Sequence, residues 1–416
     1  MKKILAIVLA LVLVLSMAAM AEISVNTTAD EFELTGDPTA IKVGVILVGD
    51  ENEGYTYAHM LGIQAAAKAL GMADDQILWK YSVGEDASCF DAAADLADAG
   101  CNVVFANSYG HQTYIQQAAV EFPEVQFVSM TGDTANAAGL DNFSNAFTAV
   151  YQCRYVAGVV AGMKVAQLIE EGKLSDENYD GNGNVKIGYV GAYPYAEVVS
   201  GYTAFFLGMQ SIVPNVVMDV QYTNSWFDIT AEGEAANALM SNGCVIIGQH
   251  ADSTGAPAAV QAAQDNGKVA YSVGYNVDML AVAPTAALTS ATNTWEVYYE
   301  YAMKTVINGE KIARNWCAGY EKNAVAITEL GESVAPGTAE KVEETIAGIK
   351  DGSIKVFDTS KFTVGGEQVT SAFATDTDGD WTADADEAII DGQFCESYYQ
   401  SAPAFTLRID GITELN

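Results

Sequence analysis

The sequence predicts an α/β protein of two similar lobes, each built on a parallel sheet flanked by helices. Short β-branched runs alternate with helix-length segments, the pattern of right-handed βαβ units. The same unit occurs twice, with nearly equal intervals from Gly44 to Cys101 and from Gly188 to Cys244. Both units carry Gly-Cys between helix and strand, at Gly100-Cys101 and Gly243-Cys244. A glycine there suits the left-handed residue that ends a helix.

In the first unit, Lys42 to Gly49 reads as a strand buried on both faces, closed by glycine. A helix follows from about Tyr57 to Ala69, then a strand over Ile77 to Tyr81, a helix over Cys89 to Ala99 and a strand over Cys101 to Ala106. The second unit repeats the order. Lys186 to Gly191 is a strand, Val198 to Val213 a helix, Val216 to Tyr222 a strand, Ile229 to Asn242 a helix and Cys244 to Gly248 a strand. The chain is expected to cross between lobes near Thr148 to Arg154, Asn276 to Leu280 and Ile312 to Asn315. The expected division is residues 41–150 for lobe 1, completed by 279–312, and 151–278 for lobe 2, completed by 313–370. Residues 371–416 form an acidic tail packed on the lobes.

The N-terminus sets the expected compartment. Lys2 and Lys3 precede an apolar run from Ile4 to Met20, and Ala19-Met20-Ala21 offers a cleavage site before Glu22. This reads as a secretory signal peptide over residues 1–21, with 22–40 as a linker. No cysteine follows the run to carry a lipid anchor. The 416 residues carry 54 acidic and 19 basic side chains, a formal charge of −35, which excludes a nucleic-acid surface of clustered Lys and Arg. Six cysteines in a chain this long do not make a disulfide scaffold, and three dispersed histidines show no zinc spacing. A Gly-x-Ser-x-Gly elbow, a P-loop and a dinucleotide glycine fingerprint are absent, so no enzyme is expected.

In open α/β sheets, ligands sit outside the carboxyl ends of the strands. Two facing lobes would gather these post-strand loops around one cleft. The loops are 49–55, 107–112, 191–197, 223–228, 249–255 and 275–278, and they hold Tyr55, Tyr109, Tyr193, Tyr195, Trp226, Phe227 and Tyr275. Aromatic loops suit a flat ligand held by stacking.

Together, Asn224-Ser225-Trp226-Phe227-Asp228, Gln249-His250-Ala251-Asp252-Ser253, Val273-Gly274-Tyr275-Asn276-Val277-Asp278-Met279, Leu288-Thr289-Ser290 with Trp295, and Tyr151 to Gly158 resemble the basic membrane protein (PnrA-like) family. These are substrate-binding proteins of ATP-binding-cassette importers. The resemblance implies a type I periplasmic-binding-protein fold, with the ligand in the interlobe cleft. It implies a purine nucleoside or nucleobase ligand and a membrane permease as partner; the chain is expected to be a monomer. Tyr55 matches the family's stacking aromatic, with Trp226 and Phe227 as the facing wall. Asn276 stands where the family has a ribose-binding Asp, and Asn293 where many members have Lys. A ligand-sensing surface receptor of the same fold is the alternative, and a secreted hydrolase a more distant one.

The expected ligand-binding residues are Tyr55, Ser108, Tyr109, Glu197, Trp226, Phe227, His250, Asp252, Asn276 and Trp295. Asp228 reads as a helix cap. Asp252 suits either a cap or a base N–H, and core packing competes for Trp295. In the tail, Asp376, Asp378, Asp380 and Glu387 match EF-hand spacing, with Trp381 where glycine belongs. Calcium there is the one cofactor the sequence suggests, and none is required.

Overall fold

The computed structural model describes residues 32–374 and 385–416. The signal-peptide segment and Asp376, Asp378 and Asp380 lie outside the described residues.

The chain begins with β1 (Val43–Ile46), α1 (Gly54–Ala69), β2 (Ile77–Lys80), α2 (Ala87–Asp98), β3 (Val103–Ala106), α3 (Gln112–Glu121), β4 (Gln126–Met130), α4 (Ala135–Ala138) and β5 (Phe143–Thr148). It continues with α5 (Val150–Glu170), β6 (Val185–Gly191), α6 (Ala196–Gln210), β7 (Val216–Tyr222), α7 (Ile229–Ser241), β8 (Ile246–Gln249), α8 (Gly255–Asp265), β9 (Tyr271–Tyr275) and β10 (Ala287–Asn293). Then come α9 (Trp295–Ile307), β11 (Asn315–Ala318), β12 (Val325–Ile327) and α10 (Thr338–Lys350).

Two sheets result. Lobe 1 has the order β11-β5-β4-β3-β1-β2, with every neighbour parallel. The second sheet begins β12-β10-β9-β8-β6-β7, with only β12 antiparallel. The repeat is real: β1 and β6 each lie between the next two strands of their unit. Gly100 and Gly243 both have positive φ, as helix-ending glycines should. Four-residue strands such as β1 and β3 are buried along their whole length, because helices cover both sheet faces.

The crossings differ from the expectation at two of three places. The first is at Ala149, between β5 and α5. The second is at Thr294, not near Asn276: after β9 the loop stays in lobe 2, where Met279, Ala283 and Ala286 join its core, and β10 extends the same sheet. The third follows β11, which belongs to lobe 1, so residues 313–370 do not all complete lobe 2. Hydrogen bonds lace the crossings together, from Ala149 N to Ala318 O (2.8 Å) and from Thr294 N to Ala324 O (2.8 Å).

The C-terminal segment runs across the lobes as a strap. It forms short pairs, β13 (Thr363–Val364) with β14 (Glu367–Gln368), β15 (Phe373–Ala374) with β16 (Asp386–Glu387), and β17 (Ile389–Ile390) with β18 (Gln393–Phe394). It ends in β19 (Ile412–Glu414), parallel to β7 at the edge of the second sheet. Phe405 stacks on Phe357 at 4.3 Å within the lobe 2 core. The strap also reaches lobe 1, where Asn315 Oδ1 accepts from Ser401 N (3.1 Å) and Asn136 donates to Tyr399 O (3.2 Å). Glu387 is a turn clasp here. Its carboxylate accepts from Ala372 N, Ile389 N and Ser371 Oγ.

Candidate functional site

The carboxyl ends of both sheets face one cavity of about 350 Å³, within the ordinary range of ~300–1,000 Å³ for small-molecule sites. Lobe 1 supplies the β1–α1 loop with Asp50, Asn52, Glu53 and Tyr55, the β2–α2 loop with Ser82 and Glu85, then Ser108, Tyr109 and Thr131. Lobe 2 supplies Glu197, Trp226, Phe227, Asp252 and Tyr275. The lobes touch at the rim: a Cβ added to Gly54 would lie 3.3 Å from Asp252 O.

Local sequence explains these positions. Glu53 caps α1 by accepting from Tyr55 N (3.1 Å) and Thr56 N (3.0 Å), which turns Tyr55 into the cleft. Asn224 takes positive φ, which small polar residues tolerate, and redirects the chain so that Trp226 and Phe227 reach the wall. Asp228 then caps α7, as its sequence context predicts. Thr131 holds φ 62 at the cavity edge, an unusual conformation for a β-branched residue.

Tyr55, Ser108, Tyr109, Glu197, Trp226, Phe227 and Asp252 therefore line the cavity, and three expected residues do not. His250 is fully buried behind Glu197, with Nε2 3.3 Å from Glu197 Oε1, and its ring is wedged against Gly201 of α6. Asn276 is buried one layer back, donating from Nδ2 to Asp252 Oδ1 at 2.7 Å, so it positions a wall residue. Trp295 is only 1% exposed. It opens α9 immediately after the second crossing, so its ring enters the lobe 1 core, stacked on His59 at 4.4 Å. His59 in turn packs edge-on against Tyr55 at 4.4 Å. Asp50, Asn52, Glu53 and Tyr275 belong to loops the sequence places at the cleft but were not among the expected ligand-binding residues, and Ser82, Glu85 and Thr131 were missed outright. Applying the post-strand rule to β2 and β4 as well would have reached Ser82, Glu85 and Thr131.

The electrostatics are acidic. Burial raises the Asp252 carboxyl well above its usual range, reinforced by Glu53, Glu232 and Glu197. Burial likewise brings Glu197 to about 7, opposed by the Arg154 guanidinium. Arg154 lies beneath this wall, 2% exposed, with Nη1 donating to Tyr189 Oη (2.9 Å) and Gln249 O (2.5 Å), and its guanidinium 3.8 Å over the Tyr275 ring. No group of three His, Cys, Asp or Glu among the described residues is arranged to hold a metal. Such a site can bind a flat, polar molecule between aromatic faces.

Comparison with known proteins agrees with this architecture. The chain is 34% identical to a purine-binding protein of Brucella abortus over 322 residues, covering 76% of this chain and 83% of that one. It is 28% identical to a putative ABC transporter glucose-binding protein of Haloferax volcanii, covering 81% and 80%. A solute-binding protein of an ABC transporter system from Aeropyrum pernix shares the fold at a TM-score of 0.59 and 15% identity, covering 82% of this chain and 95% of that one. A transcriptional activator of comK from Bacillus halodurans does so at 0.59 and 19%, covering 75% and 99%. Residues 40–359 match the family model described as ABC transporter substrate-binding protein PnrA-like. The chain belongs to this Bmp family of substrate-binding proteins.

Proposed function

We propose that this protein is exported, captures a purine base or nucleoside in the interlobe cleft and delivers it to an ABC permease without altering it. The observation that carries the reading is the pair of aromatic walls. Tyr55 and Tyr109 come from lobe 1, and Trp226, Phe227 and Tyr275 from lobe 2, around one cavity with polar groups between them. A planar ring is the shape that such walls enclose, and the name of the Brucella relative points the same way. The name of the Haloferax relative raises a sugar as the second reading, since sugars also combine stacking with carboxylate acceptors.

Calorimetric titration with adenine, hypoxanthine, adenosine and D-glucose separates the two. We expect Trp226→Ala to weaken purine binding by roughly 1–3 kcal/mol, the scale of base–aromatic stacking, and Trp226→Phe to keep most of the affinity. Trp226 is half-buried and packs on Tyr193 at 5.5 Å, so the ligand-free melting curve should be recorded for each variant. Unchanged affinity in Trp226→Ala would remove the stacking wall from the site.

Because the lobes touch in this structure, ligand-free protein in solution should sample more open forms, and ligand should close them through contacts made on both lobes. Small-angle scattering should show a smaller radius of gyration with bound ligand. An unchanged radius at saturation would argue against hinge closure.

A further inference from the structure

The hydrogen-bonding groups of the cavity wall are unequally divided between donors and acceptors. Five wall residues carry carboxyl groups (Asp50, Glu53, Glu85, Glu197 and Asp252), and no Lys, Arg or His side chain lies among them. Four of the wall's six hydroxyls are committed elsewhere, which leaves Ser82, Tyr275 and the Trp226 indole N–H as the remaining side-chain donors besides the Asn52 amide. Tyr55 Oη donates to Asn107 O (2.5 Å), Ser108 Oγ to Glu85 Oε1 (2.5 Å) and Tyr109 Oη to Asp133 Oδ2 (3.0 Å). The Thr131 hydroxyl is directed at Tyr55. The Asn52 amide donates to Asp50 Oδ1 (2.9 Å). Asp252 is fixed through Oδ1 by Asn276, which leaves Oδ2 for a ligand.

We infer that the cleft selects its ligand by the N–H groups the ligand offers: among purines it prefers amino-purines to oxo-purines and rejects phosphorylated ones. This rests on the purine reading of the cleft. An exocyclic amine meets a carboxylate as donor to acceptor. A carbonyl at the same place sets acceptor against acceptor and leaves two buried polar groups unpaired, which sites built for hydrogen bonding discriminate against strongly. A phosphate would bring its charge to a wall of carboxyls with no cation to receive it.

The carboxyls also give the proposal a sign in proton release. Asp252 faces Glu53 from the α1 cap, Glu232 from α7, Glu197 from α6 and Arg154 from α5. Glu197 faces Arg154 and His250, with Glu396 of the strap behind it. Burial and like charge keep protons on this cluster, so an N–H donor ligand that favours the ionised form releases protons on binding. If the protonated carboxyls instead served as donors to ligand carbonyls, oxo-purines would bind better and no proton would leave.

The test is calorimetry on the unmodified protein with 2,6-diaminopurine, adenine, hypoxanthine and xanthine, in two buffers of different ionisation enthalpy. Adenosine and adenosine 5′-monophosphate form a second pair. We expect adenine to bind at least tenfold tighter than hypoxanthine, diaminopurine at least tenfold tighter than xanthine, proton release with the amino-purines near pH 6, and loss of at least a hundredfold with the monophosphate. Asp252→Asn, which places an amide donor in the wall, should shrink the adenine-to-hypoxanthine ratio at least fivefold. Equal or tighter binding of the oxo-purines, or proton uptake with the amino-purines, overturns the proposal while leaving the purine reading intact. Failure of all four purines to bind, with D-glucose binding, overturns the purine reading and this inference with it.

Discussion

Gly158→Ala and Gly208→Ala should each destabilise lobe 2 by about 3 kcal/mol or more, near or above the top of the usual overpacking range. A Cβ on Gly158 would overlap Phe205 O of α6, and one on Gly208 would overlap Tyr155 O of α5. The obstacle in each case is backbone, so no rotamer change relieves it, and the two helices must separate. Alanine's better helix propensity opposes this by only ~1 kcal/mol. Gly181→Ala is the control, since a Cβ there meets nothing within 4 Å. Denaturant midpoints should fall for the first two and stay near wild type for the third. α5 carries Arg154 and α6 carries Glu197, so ligand affinity should fall with stability. If all three variants behave alike, the close helix contact does not limit stability.

That contact also marks where the sequence became hard to read. The repeated strands were legible because parallel strands under two helical layers are apolar throughout, as Val43–Ile46 and Val103–Ala106 show. α5 was visible only as a family-like stretch from Tyr151 to Gly158. Buried on most sides against α6 and the sheet, it shows little of the one-sided apolar pattern that marks a surface helix. The second crossing was misplaced because β10, Ala-Leu-Thr-Ser-Ala-Thr-Asn over 287–293, has the small polar residues of a loop. It is a strand because β9 and β12 flank it. The cavity aromatics could be found from the rule that ligands sit at strand ends. Depth within the wall could not. His250 and Asn276 stand beside the wall residues Asp252 and Tyr275 and differ from them by which layer their side chains enter, while Trp295 opens a helix that contributes nothing to the wall.

Replacing Glu396 by Gln should remove a large part of the protein's loss of stability at high pH. Glu396 comes from the strap and is buried at the hinge, facing Tyr151 of α5, Cys317 of β11, and Ser200 and Glu197 of α6. Among the described residues, neither carboxyl oxygen has a hydrogen-bond partner of good geometry. Burial pushes its pKa up to about 8 from an ordinary 4.5, helped by the charge of Glu197 and only partly eased by Ser200. Between those two values the folded protein keeps a proton that the unfolded chain has released. The stabilising contribution of Glu396 is therefore complete below about pH 4.5 and is lost as pH rises towards 8. The slope for one such group is about 1.4 kcal/mol per pH unit, so the loss between pH 5 and pH 8 is on the order of 4 kcal/mol. Glu197, Glu232 and Asp252 have pKa values raised in the same direction, but they remain in both proteins and largely cancel in the comparison. Glutamine keeps the shape of the protonated acid and has no proton to lose. Melting curves of wild type and Glu396→Gln should nearly coincide at pH 5, and the variant should melt several degrees higher at pH 8. A gap of the same size at both pH values would mean that the carboxyl does not hold its proton in the folded protein, and that its burial is met in some other way.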